Sequence, residues 1–294
     1  MIDFKPLNEV RCELGEGPVY DAARDALLYC DILGRTVHRH TLATGQVEHW
    51  SFPSEVGSLG IARSGRIVVA LRHVLGLFDP ATELFEEIAW IEKERGAETR
   101  LNDGKVGPDG AFWVGTMDDR GLPVRQPLGS LYRVTADGTV EKKSEGAMVS
   151  NGLAWTPDGL TMFHSDSSGK WLDRWDFDPK TGAIGNRKRV ATLDEATGRP
   201  DGAAMDAEGY YWSAGVSAAR LNRIDRDGKI VASYPVPVAA PTMPCFGGRD
   251  LRTLFVTSLL VGRAPELLDK YPLTGITIMG KAPVAGAPVA LFAD

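Results

Sequence analysis

Cysteine is scarce in this chain. Cys12, Cys30 and Cys245 are three thiols in 294 residues, an odd number at wide spacing. They offer neither a disulfide framework nor a zinc-binding pattern, so buried, reduced thiols in a cytoplasmic protein are expected. Long apolar runs are missing too. No stretch approaches the roughly 18 apolar residues that a membrane helix needs. The opening Met1-Ile-Asp-Phe-Lys-Pro6 has no apolar signal region, and no membrane partner is expected. The formal net charge of −6 is spread without a long run of one sign. Without clustered Lys and Arg, nucleic acid is not an expected partner. A Gly-x-Ser-x-Gly elbow is absent, which argues against a serine hydrolase. Gly247-Gly248 lacks the Lys-Ser/Thr and the helix of a phosphate loop. Helical patterns are few, the best being the short stretch 91–95.

What is present is a repeat. A short apolar strand recurs six times, as Leu27-Leu-Tyr-Cys-Asp31, Ile67-Val-Val-Ala-Leu71, Phe112-Trp-Val-Gly-Thr116, Met162-Phe-His-Ser-Asp166, Tyr210-Tyr-Trp-Ser-Ala214 and Leu254-Phe-Val-Thr-Ser258. Turn glycines precede most of them: Gly65, Gly110, Gly159 and Gly209 lie about 45 to 50 residues apart. A second hairpin follows each strand, with turns such as Thr44-Gly45, Asp137-Gly138 and Asp227-Gly228. Flanking strands alternate with period two, as in Leu131-Tyr-Arg-Val134. Together these features predict an all-β, six-bladed β-propeller with four antiparallel strands per blade, one domain over 1–294.

Each unit also has an earlier strand, which would line the axis, and polar residues occur there. Gly17, Gly104, Gly152, Gly202 and Gly247 align in the repeat, and a polar residue precedes four of them. Corresponding positions of a radial repeat form a ring, so Glu16, Asn102, Asn151 and Asp201 are predicted to converge at one mouth of the channel. Asp-Gly and Asn-Gly are also common turn dipeptides, but these fall at a phase where the repeat needs a strand. Two carboxylates and two amides facing one another need a counter-charge. Their oxygens suit a hard cation such as Ca²⁺, Mg²⁺ or Mn²⁺. No Cys or His joins the set, which disfavours a structural zinc site. The five histidines share no repeat phase; His164 is the one in a strand near the axis.

Across nearly the whole chain the sequence resembles the SMP-30/gluconolactonase/regucalcin family of sugar lactonases. The resemblance lies in Leu14-Gly-Glu-Gly-Pro-Val-Tyr-Asp21, Arg100-Leu-Asn-Asp-Gly-Lys105, Gly115-Thr-Met117, Ser150-Asn-Gly152, Pro200-Asp-Gly202 and Cys245-Phe-Gly-Gly248. It implies a six-bladed propeller with one divalent ion held by Glu16, Asn151 and Asp201. It also implies that Asp201 is the general base, and that Arg100 and Asn102 contact substrate hydroxyls. Where some members carry a sugar-binding Glu after the Gly-Thr-Met motif, this chain reads Asp118-Asp119-Arg120. Counting puts Arg120 at that Glu, so either Asp119 substitutes or the substrate differs.

The expected activity is metal-dependent opening of a sugar lactone to its acid. The ion is Ca, Zn, Mn, Mg or Fe, the partner a small-molecule sugar lactone, and the assembly a monomer or weak homo-oligomer. The alternatives are a non-enzymatic calcium-binding regulatory propeller and a metal-dependent esterase acting on non-sugar esters.

Overall fold

The computed structural model describes residues 2–121 and 123–294. Six four-stranded antiparallel sheets are arranged as the blades of a propeller. Their inner strands are Gly15–Asp21, Val56–Ile61, Thr99–Val106, Ser150–Trp155, Pro200–Met205 and Pro241–Gly247, in blades 1 to 6. Blades 1 to 5 each continue outward through three consecutive strands. Blade 6 is completed by the N-terminal strand Lys5–Arg11, which pairs with Ile276–Lys281. The ring is thus closed by the two ends of the repeat, leaving only the short outer edge of each blade.

Local chemistry explains the repeat. Asp109 accepts the Trp113 indole N–H at 3.1 Å, and Asp206 accepts that of Trp212 at 2.8 Å. Each carboxylate so ties a turn to the strand that follows it. Between blades the packing is apolar: Val19 and Leu28 meet Leu59 and Val69, and Val68 and Leu75 meet Val106 and Phe112. Trp155 packs edge to face on Trp113 and Phe177, which are tilted on each other, with centroids 5.5 to 6.0 Å apart. Each such buried side chain contributes about 2 to 3 kcal/mol of transfer free energy.

The structure differs from the sequence expectation in its few helices. The helical turn runs over Lys93–Glu98, slightly later than 91–95, and is a 3-10 helix broken by Gly96 at φ 53°. An α-helix over Pro265–Lys270 was not expected. Beyond the last strand, residues 282–294 run across the end of the inner strands. The Ala287 N–H bonds Met205 O, that of Phe292 bonds Ile61 O, and that of Ala293 bonds Gly110 O. The tail therefore spans from blade 5 to blades 2 and 3 and closes one end of the channel.

Candidate functional site

The opposite end of the inner strands carries the polar residues. In each blade the pairing of the inner strand slips there by an irregularity: between Glu16 and Val19, Val56 and Ser58, Leu101 and Gly104, Asn151 and Ala154, Pro200 and Ala203, and Pro241 and Pro244. A bulge bends the strand and re-aims its side chains. Gly17 and Gly152 take the positive φ that the bulge requires, 54° and 64°. A Cβ on Gly152 would overlap the Tyr211 hydroxyl and Ser165 Oγ, so this turn admits no side chain.

The register corrects part of the alignment read from the sequence. Gly104 pairs with Val114, beyond its bulge, and Gly247 pairs with Thr253 at the far end of its strand. Neither occupies the ring position of Gly17. Blade 6 places Thr242 and Met243 in its bulge, and blade 2 places Gly57 there. The acidic and amide groups come from blades 1, 3, 4 and 5 alone.

Two carboxylates anchor the strands that carry Glu16 and Asn151. Asp31 accepts the N–H groups of Glu13 and Leu14 at 2.8 and 3.0 Å. Asp166 accepts those of Met148 and Val149 at 2.7 and 3.1 Å. In both blades the chain is thereby fixed two or three residues before the functional side chain.

Glu16 is buried, and one of its oxygens accepts the Gly17 N–H at 2.9 Å. The Asn151 amide donates to Asp201 Oδ1 at 2.6 Å and to Ser167 Oγ at 2.8 Å. That leaves buried Asn151 Oδ1 with no partner, and Asp103 Oδ1 is likewise unpaired. Burial raises the pKa of Glu16 well above the carboxylate range, and the charges of Asp201 and Asp103 add to it. Asp201 is raised by burial and by Asp103, with Arg199 opposing. Asn151 and Asp201 are joined by a hydrogen bond, and the charge of Asp201 bears on Glu16.

This donor set fits a divalent ion. A cation would relieve the repulsion and satisfy the unpaired amide oxygen. No group of three His, Cys, Asp or Glu suited to a metal occurs among the described residues. The set here is mixed, two carboxylates and an amide.

Arg100, Asn102 and Asp119 form a second, connected group. The Arg100 guanidinium donates to Asp119 Oδ1 at 3.1 Å and to Asn102 Oδ1 at 2.8 Å. Asn102 Nδ2 donates to Ser150 O at 2.9 Å, next to Asn151. Arg72 holds the other Asp119 oxygen at 2.7 Å and is itself paired with Glu55 at 3.0 Å. Arg120 turns away and pairs with Asp118 at 2.7 Å. Of the two candidates after Gly-Thr-Met, it is Asp119 that joins the Arg100 group.

Sequence reasoning passed over Asp103, which is buried beside the ring and accepts the Leu153 N–H at 3.1 Å. Its place before Gly104 was the available signal. It also passed over Lys105, whose Nζ donates to Ala203 O at 2.6 Å. Burial lowers the Lys105 pKa, and the charge of Asp103 opposes that shift. His164 is buried with Nε2 2.7 Å from Ser150 Oγ, behind the ring rather than in it.

The chain is similar to known proteins over nearly its whole length. The SMP-30/Gluconolactonase/LRE-like region matches residues 14–260. The chain is 38% identical to a 6-deoxy-6-sulfogluconolactonase of Pseudomonas putida, over 95% of each chain. It is 36% identical to regucalcin of Gallus gallus, over 93% of this chain and 94% of that one. Among solved structures, the calcium-binding protein regucalcin from Agrobacterium tumefaciens superposes with a TM-score of 0.91 at 29% identity. That likeness covers 99% of this chain and 97% of the other. The chain belongs to the SMP-30/gluconolactonase/LRE-like family.

Proposed function

We propose that this protein is a lactonase that opens a sugar lactone to the corresponding acid, with one divalent ion held by Glu16, Asn151 and Asp201. One observation carries the reading. The unpaired Asn151 oxygen and the mutually repelling Glu16 and Asp201 lie beside a hydrogen-bonding group, Arg100–Asn102–Asp119, of the kind that holds sugar hydroxyls. The relative from Pseudomonas putida, a sulfogluconolactonase by name, supports it.

The ion, when bound, supplies Lewis-acid polarisation of a carbonyl oxygen and lowers the pKa of water. The chain's own residues do the rest. Asp201, partly exposed at the mouth, accepts the proton of the attacking water. Asn151 and Ser167 fix its Oδ1. Arg100 and Asn102 orient the ring by donating to its hydroxyls, and Asp119 accepts from one of them. Three free, buried cysteines support a reducing compartment. No helix among the described residues is long and apolar enough to cross a membrane.

A second reading is a calcium-binding protein without catalysis, favoured by the likeness to regucalcin. It uses the same ion ligands but has no need of Arg100 and Asp119. A pH-stat assay over a panel of aldonolactones, with and without chelator, separates the two. Acid release that chelator abolishes supports the lactonase. Calcium binding with no lactone opened would favour the second reading.

A further inference from the structure

Two arginines on the blade 4 side of the mouth make none of the hydrogen bonds described above. Arg199 lies two positions before Asp201, and its main chain is fixed by Ser217 Oγ at 2.9 Å and by the Val216 N–H at 3.0 Å. Its Nε is buried and has no partner. Its carboxylate neighbour, Glu195, is 3.8 Å from Nη1, beyond hydrogen-bond length. Glu195 instead pairs with Lys170 at 3.1 Å.

Arg125 reaches over from the loop after the second strand of blade 3. Its Nε donates to the main-chain oxygen of Asp118 at 3.0 Å, and its Nη1 to Ser168 Oγ at 3.1 Å. The Asp118 carboxylate is already taken by Arg120 and the Gln126 N–H. Ser168 adjoins Ser167, whose hydroxyl accepts from Asn151 and donates to Asp201 at 3.4 Å. Arg125 is thus one residue removed from the hydrogen bonds of the candidate base. Burial lowers the Arg125 pKa, the Asp118 and Asp119 charges oppose, and the Arg199 charge pushes it further down.

These two guanidinium groups contrast with Arg72, Arg100 and Arg120, each bonded to a carboxylate. A buried guanidinium N–H without a partner, as at Arg199 Nε, costs free energy unless an acceptor joins it. The guanidinium fork matches the oxygens of a sulfonate, phosphate or carboxylate. Arg100 and Asp119 engage the mouth from blade 3, and Arg125 and Arg199 engage it from the side of blades 4 and 5. A sugar ring held by the first pair would carry an exocyclic group towards the second.

We propose that Arg125 and Arg199 bind an anionic exocyclic group of the substrate, so that the enzyme prefers lactones of acidic sugars to neutral ones. The inference rests on the lactonase reading and deepens it. The test compares kcat/KM for glucono-1,5-lactone with that for its 6-deoxy-6-sulfo, 6-phospho and 6-carboxylate counterparts. Wild-type enzyme favours at least one anionic lactone, and the strongest ratio identifies the anion. Arg125→Gln and Arg199→Gln each reduce that ratio by about tenfold or more, mainly through KM. Arg199→Lys keeps part of it, which separates charge from loss of fold. Arg226→Gln removes the same charge from an exposed turn and leaves the ratio unchanged.

A wild-type ratio near one, or a ratio that neither substitution moves, overturns the proposal while the lactonase reading stands. Wild-type enzyme that opens none of these lactones overturns both.

Discussion

At the start of the six inner strands the channel presents Glu16, Asn102, Asp103, Asn151 and Asp201. At the other end Gly60, Val106, Ala154, Ala204 and Phe246, together with Lys105, line a cavity of about 300 Å³, covered by residues 287–290. The same strands build both ends. A radial repeat places corresponding residues at one height, so each level of the channel can take its own chemistry. The polar level strains the fold, with like charges and unpaired oxygens. The other level, apolar apart from Lys105, and its covering tail carry no such cluster of carboxylates.

The comparison is broken most severely at the tail. Phe292 is fully buried among side chains of blades 2 and 3. Phe292→Ala is expected to cost about 3 to 5 kcal/mol in denaturant unfolding, with ion affinity unchanged. A stability loss under about 1 kcal/mol would show that the tail adds nothing to the fold.

Acid should loosen the polar side through His164. Burial pushes its pKa down to about 4 from an ordinary 6.5, with Asp173 opposing. Folded His164 is therefore neutral where the unfolded chain takes up a proton. The stability this neutral state represents is complete above about pH 6.5 and lost as pH falls towards 4, on the order of 3 kcal/mol in all. His164→Gln should flatten that part of the stability–pH curve. An unchanged slope would remove His164 from the account.

Catalysis should respond to Asp201→Asn. With saturating ion, kcat should fall by roughly 10²-fold. Turnover near wild type would leave Asp201 as a ligand only. Smaller still, Arg100→Lys keeps a charge beside Asp119 but loses the fork, and KM should rise by about tenfold with the ion still bound. Unchanged kinetics on every lactone would contradict the sugar-binding role of that group.

The propeller was legible because its signals are local: turn glycines and short apolar strands recur at about one spacing. Glu16, Asn151 and Asp201 stood out because their polar dipeptides fall at a phase where the repeat needs a strand. What escaped were consequences of register and of long-range contact. The bulges shift Gly104 and Gly247 out of the ring, which counting along the chain cannot reveal. Arg120 folds back on Asp118 while Asp119 meets Arg72, 47 residues earlier. Arg125 and Arg199 come from different blades, and no spacing connects them. The tail carries no repeat pattern, yet it reaches three blades.

The ion site is the centre of this account, and calorimetric titration of chelator-stripped protein with Ca²⁺ and Mn²⁺ tests it most directly. Wild-type protein should take up one ion per chain. Glu16→Gln should bind at least about tenfold more weakly, because a charged oxygen is lost from a hard-cation site. Without ion the same variant should melt above wild type, since one of the repelling carboxylates is gone. Wild-type protein that binds no ion, or a Glu16→Gln variant of unchanged affinity, would contradict the account.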